Sequence, residues 1–129
     1  MSKSNYLELE LLDHALGTGA FTMPTAQHLA LHTANPGEAG SGAELSGSGY
    51  ARIAVDFNAA SGGTATGPTA VKEFTNSGGG AWDQVTHFGV WDASTSGNLL
   101  YYGALTTAKT IAGGDTLRFT AGSISISEG

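Results

Sequence analysis

The sequence predicts an all-β protein, a compact antiparallel β-sandwich of jelly-roll-like character with one short N-terminal α-helix. Three observations carry the prediction. Glycine supplies 20 of 129 residues, roughly double its usual share, and charged residues at 12% are about half theirs. Six or seven short runs, several with alternating apolar positions, recur at roughly regular spacing between Gly- and Ser-rich turns. The strand–helix–strand alternation of a parallel nucleotide-binding sheet does not occur. The length fits one domain over residues 1–129 with a single core.

The helix comes first, in the segment 4–17. Asn5 followed by Glu8 matches a capping box, with an acid in the positive first turn. Leu7, Leu11 and Ala15 fall on one stripe at spacing four, Leu12 and Leu16 lie beside them, and Gly17 is a natural stop. The predicted helix covers residues 6–16 and has an apolar face that must dock on something.

TAQHLALHTANP reads as a strand, with Leu29, Leu31 and Thr33 on one face and His28, Ala30 and His32 on the other. The following loop, 34–49, is long and Gly-rich, with Leu45 its single large apolar residue. YARIAVDFN alternates Ala51, Ile53, Val55 and Phe57 with Arg52, Ala54 and Asp56, the pattern of a half-buried strand. ASGGTATGP reads as a turn, TAVKEF as a short strand with Val71 and Phe74 inward, and NSGGGAWDQ as a loop. VTHFGVWD, ASTSGN and LLYYGALTTAKTI form a hairpin whose turn is set by Asp92, Gly97 and Asn98. In it Phe88 and Val90 alternate with His87, Gly89 and Trp91, and Leu99 and Tyr101 with Leu100 and Tyr102. LRFTAG and SISIS are the last two strands.

The chemistry the chain can carry is narrow. The net charge is -6, and the five basic residues are scattered rather than gathered into the positive field that nucleic acid requires. There is no cysteine, hence no disulfide, thiolate nucleophile or sulfur ligand. No stretch approaches a membrane span, and the N-terminal segment lacks the continuous apolar run of a signal peptide, so synthesis in the cytoplasm without export is expected. His28 and His32 stand four apart, the zincin spacing, but on a strand their α-carbons lie about 13 Å apart and the Glu of that motif is missing. A partly buried or interfacial pair is expected instead of a metal site. No G-x-S-x-G elbow occurs, the glycine clusters lack the Lys and helix of a phosphate loop, and Asp83, Asp92 and Asp115 each sit beside a turn they can cap. His87 is expected to be a hydrogen-bonded strand residue. No catalytic residue, metal ligand or cofactor site is expected.

Several blocks carry a resemblance. NYLELELLDHALG, LALHTANPGEAGSG, GYARIAV and WDQVTHFGVWDASTSGNLLYYGALTTAKTIAGGDTLRFTAGSISI occur in that order, the most specific being W-x-x-V-T-H-F-G-V-W-D-A with G-N-L-L-Y-Y-G-A-L. In them the chain resembles short tailed-bacteriophage virion proteins usually labelled tail fiber protein or minor tail protein. The resemblance implies a structural component of the particle with no catalytic residues to transfer; from the shape of the chain we expect it at the virion surface, associating with itself, as a trimer or another symmetric oligomer, and with virion proteins such as the major capsid or tail proteins. A compact unit without repeats leads us to expect a capsid decoration, or cement, protein. The alternative is a tail-fibre or minor tail protein that binds a host receptor or surface glycan, for which Trp82, Trp91, Tyr101 and Tyr102 are the aromatic candidates. The helix and the long loop are expected to meet neighbouring subunits through Tyr6, Leu7, Leu11, Pro36, Glu38 and Leu45.

Overall fold

The structure, a computed structural model, describes residues 1–127. Its elements in chain order are β1 (Ser2–Lys3), α1 (Asn5–Ala15), β2 (Gln27–His32), β3 (Ile53–Val55), β4 (Thr64–Gly67), β5 (Lys72–Thr75), β6 (Val85–Trp91), β7 (Leu99–Lys109), β8 (Thr116–Phe119) and β9 (Ile124–Ser127). A five-stranded antiparallel sheet, ordered β1-β7-β6-β2-β3, faces two two-stranded ribbons, β4-β9 and β5-β8. This is the expected all-β sandwich with one short helix. TATG, read from its glycines as part of a turn, is strand β4, because Ala65 and Gly67 pair with Ile126 and Ile124 of the last strand.

The core lies between these layers. Leu29, Leu31, Val85, Phe88, Val90 and Leu100 come from the five-stranded sheet, and Phe74, Leu117, Phe119, Ile124 and Ile126 from the ribbons. Phe119 joins the layers, with ring centroids 5.8 Å from Phe88 and 6.1 Å from Phe74 in edge-to-face geometry. Phe74 points inward as its alternation requires, but Val71 does not: it precedes β5 and is 47% exposed. Buried Asn76 organises the NSGGG loop by donating to the carbonyls of Gly80 and Ile111, while its side-chain oxygen accepts from the Gly78 N–H.

Two irregularities in the β6–β7 pairing alter the expected faces. Val90 opposes Tyr101 but Trp91 opposes Leu99, so one extra residue of β7 is accommodated there. Strict alternation therefore breaks: Leu100 joins the core with Tyr101 packed against it, whereas Leu99 and Tyr102 share the outer face. Farther on, His87 opposes Ala104 and Val85 opposes Lys109, which leaves residues 105–108 opposite Thr86 alone.

Helix α1 starts at Asn5, one residue earlier than expected. Ser4, not Asn5, is the N-cap: it has extended backbone and its hydroxyl accepts from the Leu7 N–H at 3.2 Å. The same hydroxyl donates to the Leu99 carbonyl, the Ser4 N–H donates to Leu100, and the Asn5 N–H donates to Glu38. Ser4 is preferred because it is buried and tied to β7, whereas Asn5 faces solvent. Ser4→Ala should therefore lower unfolding stability by about 1–2 kcal/mol, measured by urea denaturation followed by circular dichroism, with Ser4→Thr losing less.

Candidate functional site

Strand β2 poses the main packing problem. Leu29, Ala30, Leu31 and His32 are all fully buried, so the strand is covered on both faces rather than on the one its alternation predicts. The ribbons cover one face. On the other, Ala30, His32, Trp91, Leu99 and Tyr102 are roofed by loop 33–49, which lies back on its own sheet. The Thr33 N–H donates to Ala43, the Leu45 N–H donates to Leu31, and Glu44 bridges to His32.

A charged cluster fastens this roof. Arg52, on the outward side of the β3 alternation, donates from Nε and Nη2 to the two carboxylate oxygens of Glu44 at 2.9 and 2.8 Å. Its Nη1 donates to the carbonyls of Ala93 and Ser96, and its guanidinium carbon stands 4.0 Å from the Trp91 ring centroid. The Tyr50 hydroxyl donates to Glu44 and accepts from the Leu31 N–H. Trp91 donates to His32 Nε2 at 3.3 Å, the two rings lying nearly parallel with centroids 6.0 Å apart. Gly89 makes this possible, because a Cβ there would stand 2.9 Å from His32 Nε2, Trp91 Nε1 and Leu99 Cδ1.

The ionisation of the cluster follows from its burial. Burial pushes the His32 pKa down, and nearby Arg52 and His87 add to this against the opposing pull of Glu44 and the Gly42 backbone. Burial alone would raise the Glu44 carboxyl, but its hydrogen bonds to Arg52 and Tyr50 outweigh that and hold it below its ordinary range. Burial, with Glu44 beside it, pushes the Tyr50 hydroxyl far up. The whole assembly is a fastening, with one cation, one anion and one neutral imidazole.

The hairpin tip behaves as its sequence predicts. Asp92 accepts from the Asn98 backbone and side-chain nitrogens at 2.7 and 3.0 Å, and Gly97 has φ 75°. His87 is half-buried and hydrogen-bonds through Nδ1 to Thr86 at 2.8 Å. His28 and His32 share a face of β2, each with a buried Nδ1 that lacks a partner of good geometry. Among the described residues no group of three or more His, Cys, Asp or Glu is placed to hold a metal ion, and no helix is long and apolar enough to cross a membrane.

The residues named for a subunit interface divide. Leu7, Pro36 and Leu45 are buried in the chain's own packing, Tyr6 and Leu11 are half-buried, and Glu38 is exposed. The surface the helix offers lies on its opposite side. Leu9, Leu12 and Leu16, exposed by 64%, 57% and 74%, fall within an arc of about 60° facing away from Leu7 and Leu11. Glu8 borders that arc on one side and Asp13 on the other. Sequence reasoning grouped Leu12 and Leu16 with the docking stripe and missed the second face; the signal was a helix carrying leucine all round. Of the aromatic candidates for sugar stacking, Trp82, Trp91 and Tyr102 are buried, and Tyr101 is half-buried.

A family model described as "Podophage GP4 fiber I protein gp80" matches residues 2–127. No curated protein matches the chain.

Two outcomes follow from the cluster. Arg52→Ala leaves Glu44 with Tyr50 as its remaining donor and takes the donor from the Ala93 and Ser96 carbonyls, and should cost about 2–4 kcal/mol, read as a lowered urea midpoint. Stability should also depend on pH through His32 and Glu44. The neutral His32 of the fold is opposed by proton uptake in the unfolded chain, so stability falls as pH drops below 6.5, and falls further below 4.5 as Glu44 is protonated. Thermal unfolding from pH 8 to pH 3 checks this, and His32→Asn should flatten the limb between 6.5 and 4.5.

Proposed function

The chain belongs to the podophage GP4 fiber I protein family, and on that premise we propose that it is a non-enzymatic building block of a virion fibre, held by contacts with copies of itself and with other virion proteins. Membership makes it a structural protein of a phage virion. The observation that carries the fibre role is the match over residues 2–127, whose description names a fibre. The expected capsid-decoration role has no comparable support, and the alternative, the fibre, is the better reading.

The geometry supports a structural role over recognition of a host glycan. Three of four aromatic candidates are spent on packing: Trp82 donates to the Ser48 carbonyl and meets Tyr50 edge-on, Trp91 donates to His32 and carries Arg52 on its ring, and Tyr102 is buried with Ala30, Trp91 and Leu99. What reaches solvent instead is the leucine face of α1, the kind of surface that mediates protein association. A rigid two-layer body with a fastened loop suits a part that must keep its shape in an assembly.

Electron microscopy of virions with the protein tagged at an exposed turn tests this reading. The label should decorate the fibres, and particles lacking the protein should lose fibre density while keeping filled heads. Label spread over the capsid lattice would return the decoration role instead.

A further inference from the structure

Two surfaces of this chain both offer apolar side chains and carry opposite charge at their borders. The first is the outward face of α1, a stripe of Leu9, Leu12 and Leu16 bordered by Glu8 and Asp13. The second is a groove of about 430 Å³ on the open side of the sandwich, where β7 runs past β8 and β9. Its apolar lining comes from Met1, Phe88, Leu105, Leu117, Phe119 and Ile124, and Lys109 and Arg118 also line it. They are two of the five basic residues in the chain, and a third, Arg52, is buried in the loop cluster. Among the described residues Arg118 pairs with Glu73 at 3.1 Å, both side chains exposed, and such a pair is readily exchanged for another carboxylate.

We propose that α1 of one copy docks its leucine face into the β7–β8–β9 groove of a second copy, with Glu8 and Asp13 meeting Lys109 and Arg118. The proposal rests on the reading of the chain as a self-assembling fibre component. Face-to-face pairing of two helices is disfavoured, because it sets Glu8 and Asp13 against their own copies at the rim of an apolar contact. A copy cannot fill its own groove either: its helix sits over Leu100 and Tyr101, and the groove begins at Ala104, about 10–13 Å along the strand from the helix seat. The contact therefore joins unlike surfaces head to tail, and repeats until it closes a ring or extends a line.

Sedimentation velocity of the full chain tests this. The wild type should associate with increasing concentration, and more weakly as salt rises. Leu12→Asp spoils only the helix face, at an exposed position, and the double variant Lys109→Glu, Arg118→Glu spoils only the groove. Each alone should weaken association at least tenfold. An equimolar mixture should recover a 1:1 dimer that grows no further, since each copy keeps one working surface. A third protein, with Glu8→Lys and Asp13→Lys added to the groove double variant, should regain association through the exchanged charges, which a folding defect in the groove variant would not allow. The proposal is overturned if the groove variant associates like the wild type, if the mixture stays monomeric, or if the wild type is monomeric throughout. In the last case, fibre labelling in virions would leave the fibre role standing and remove only this contact.

Discussion

Burial of β2 on both faces is the constraint on which the molecule depends. A central strand with no exposed atoms on Ala30 or His32 needs a second cover, and among the described residues no second sheet lies on that side. The cover is irregular chain, which lacks the repeating hydrogen bonds that hold a sheet together. Arg52 supplies the missing order. One guanidinium holds the Glu44 carboxylate of one loop and the Ala93 and Ser96 carbonyls of another while lying on the indole between them. A buried cation is tolerated because its nitrogens find oxygen partners and its plane finds an aromatic face.

This explains why a glycine-rich loop can behave as part of the core. Glycine lets the chain approach Trp91 and Leu99 closely, as Gly40 does, and the scarcity of charge leaves nothing to draw the loop outward. Leu45 and Pro36 are then buried within their own domain. The electrostatic consequence is that the neutral form of His32 and the charged forms of Arg52 and Glu44 belong to one arrangement, so that a change in any of them is felt by both loops.

Much of this was legible in the sequence. The alternation of YARIAVDFN placed Val55 inward and Arg52 outward, and the Asp92, Gly97 and Asn98 turn formed as those residue types require. What escaped was decided by partners distant along the chain. TATG became a strand because Ile124 and Ile126 lie opposite it, the N-cap moved to Ser4 because β7 offers that hydroxyl an acceptor, and the extra residue in β7 turned Leu100 into the core. The helix illustrates the limit most clearly. Its leucines at positions 7, 9, 11, 12 and 16 declare an apolar helix, but only the position of the sheet decides which of them remain in solvent.

The fastened loop also settles where this fold would accept foreign chain. By length and composition, residues 34–49 look like the natural place to graft a peptide, yet an insertion there would lift the cover from His32 and Trp91 and disturb the oxygen partners of Arg52. The turn between β3 and β4 is different: Gly62 has open space where a side chain would stand, and the residues around it are exposed. A displayed epitope or fluorophore belongs at that short turn, where solvent is the only neighbour, and not in the longest loop of the molecule.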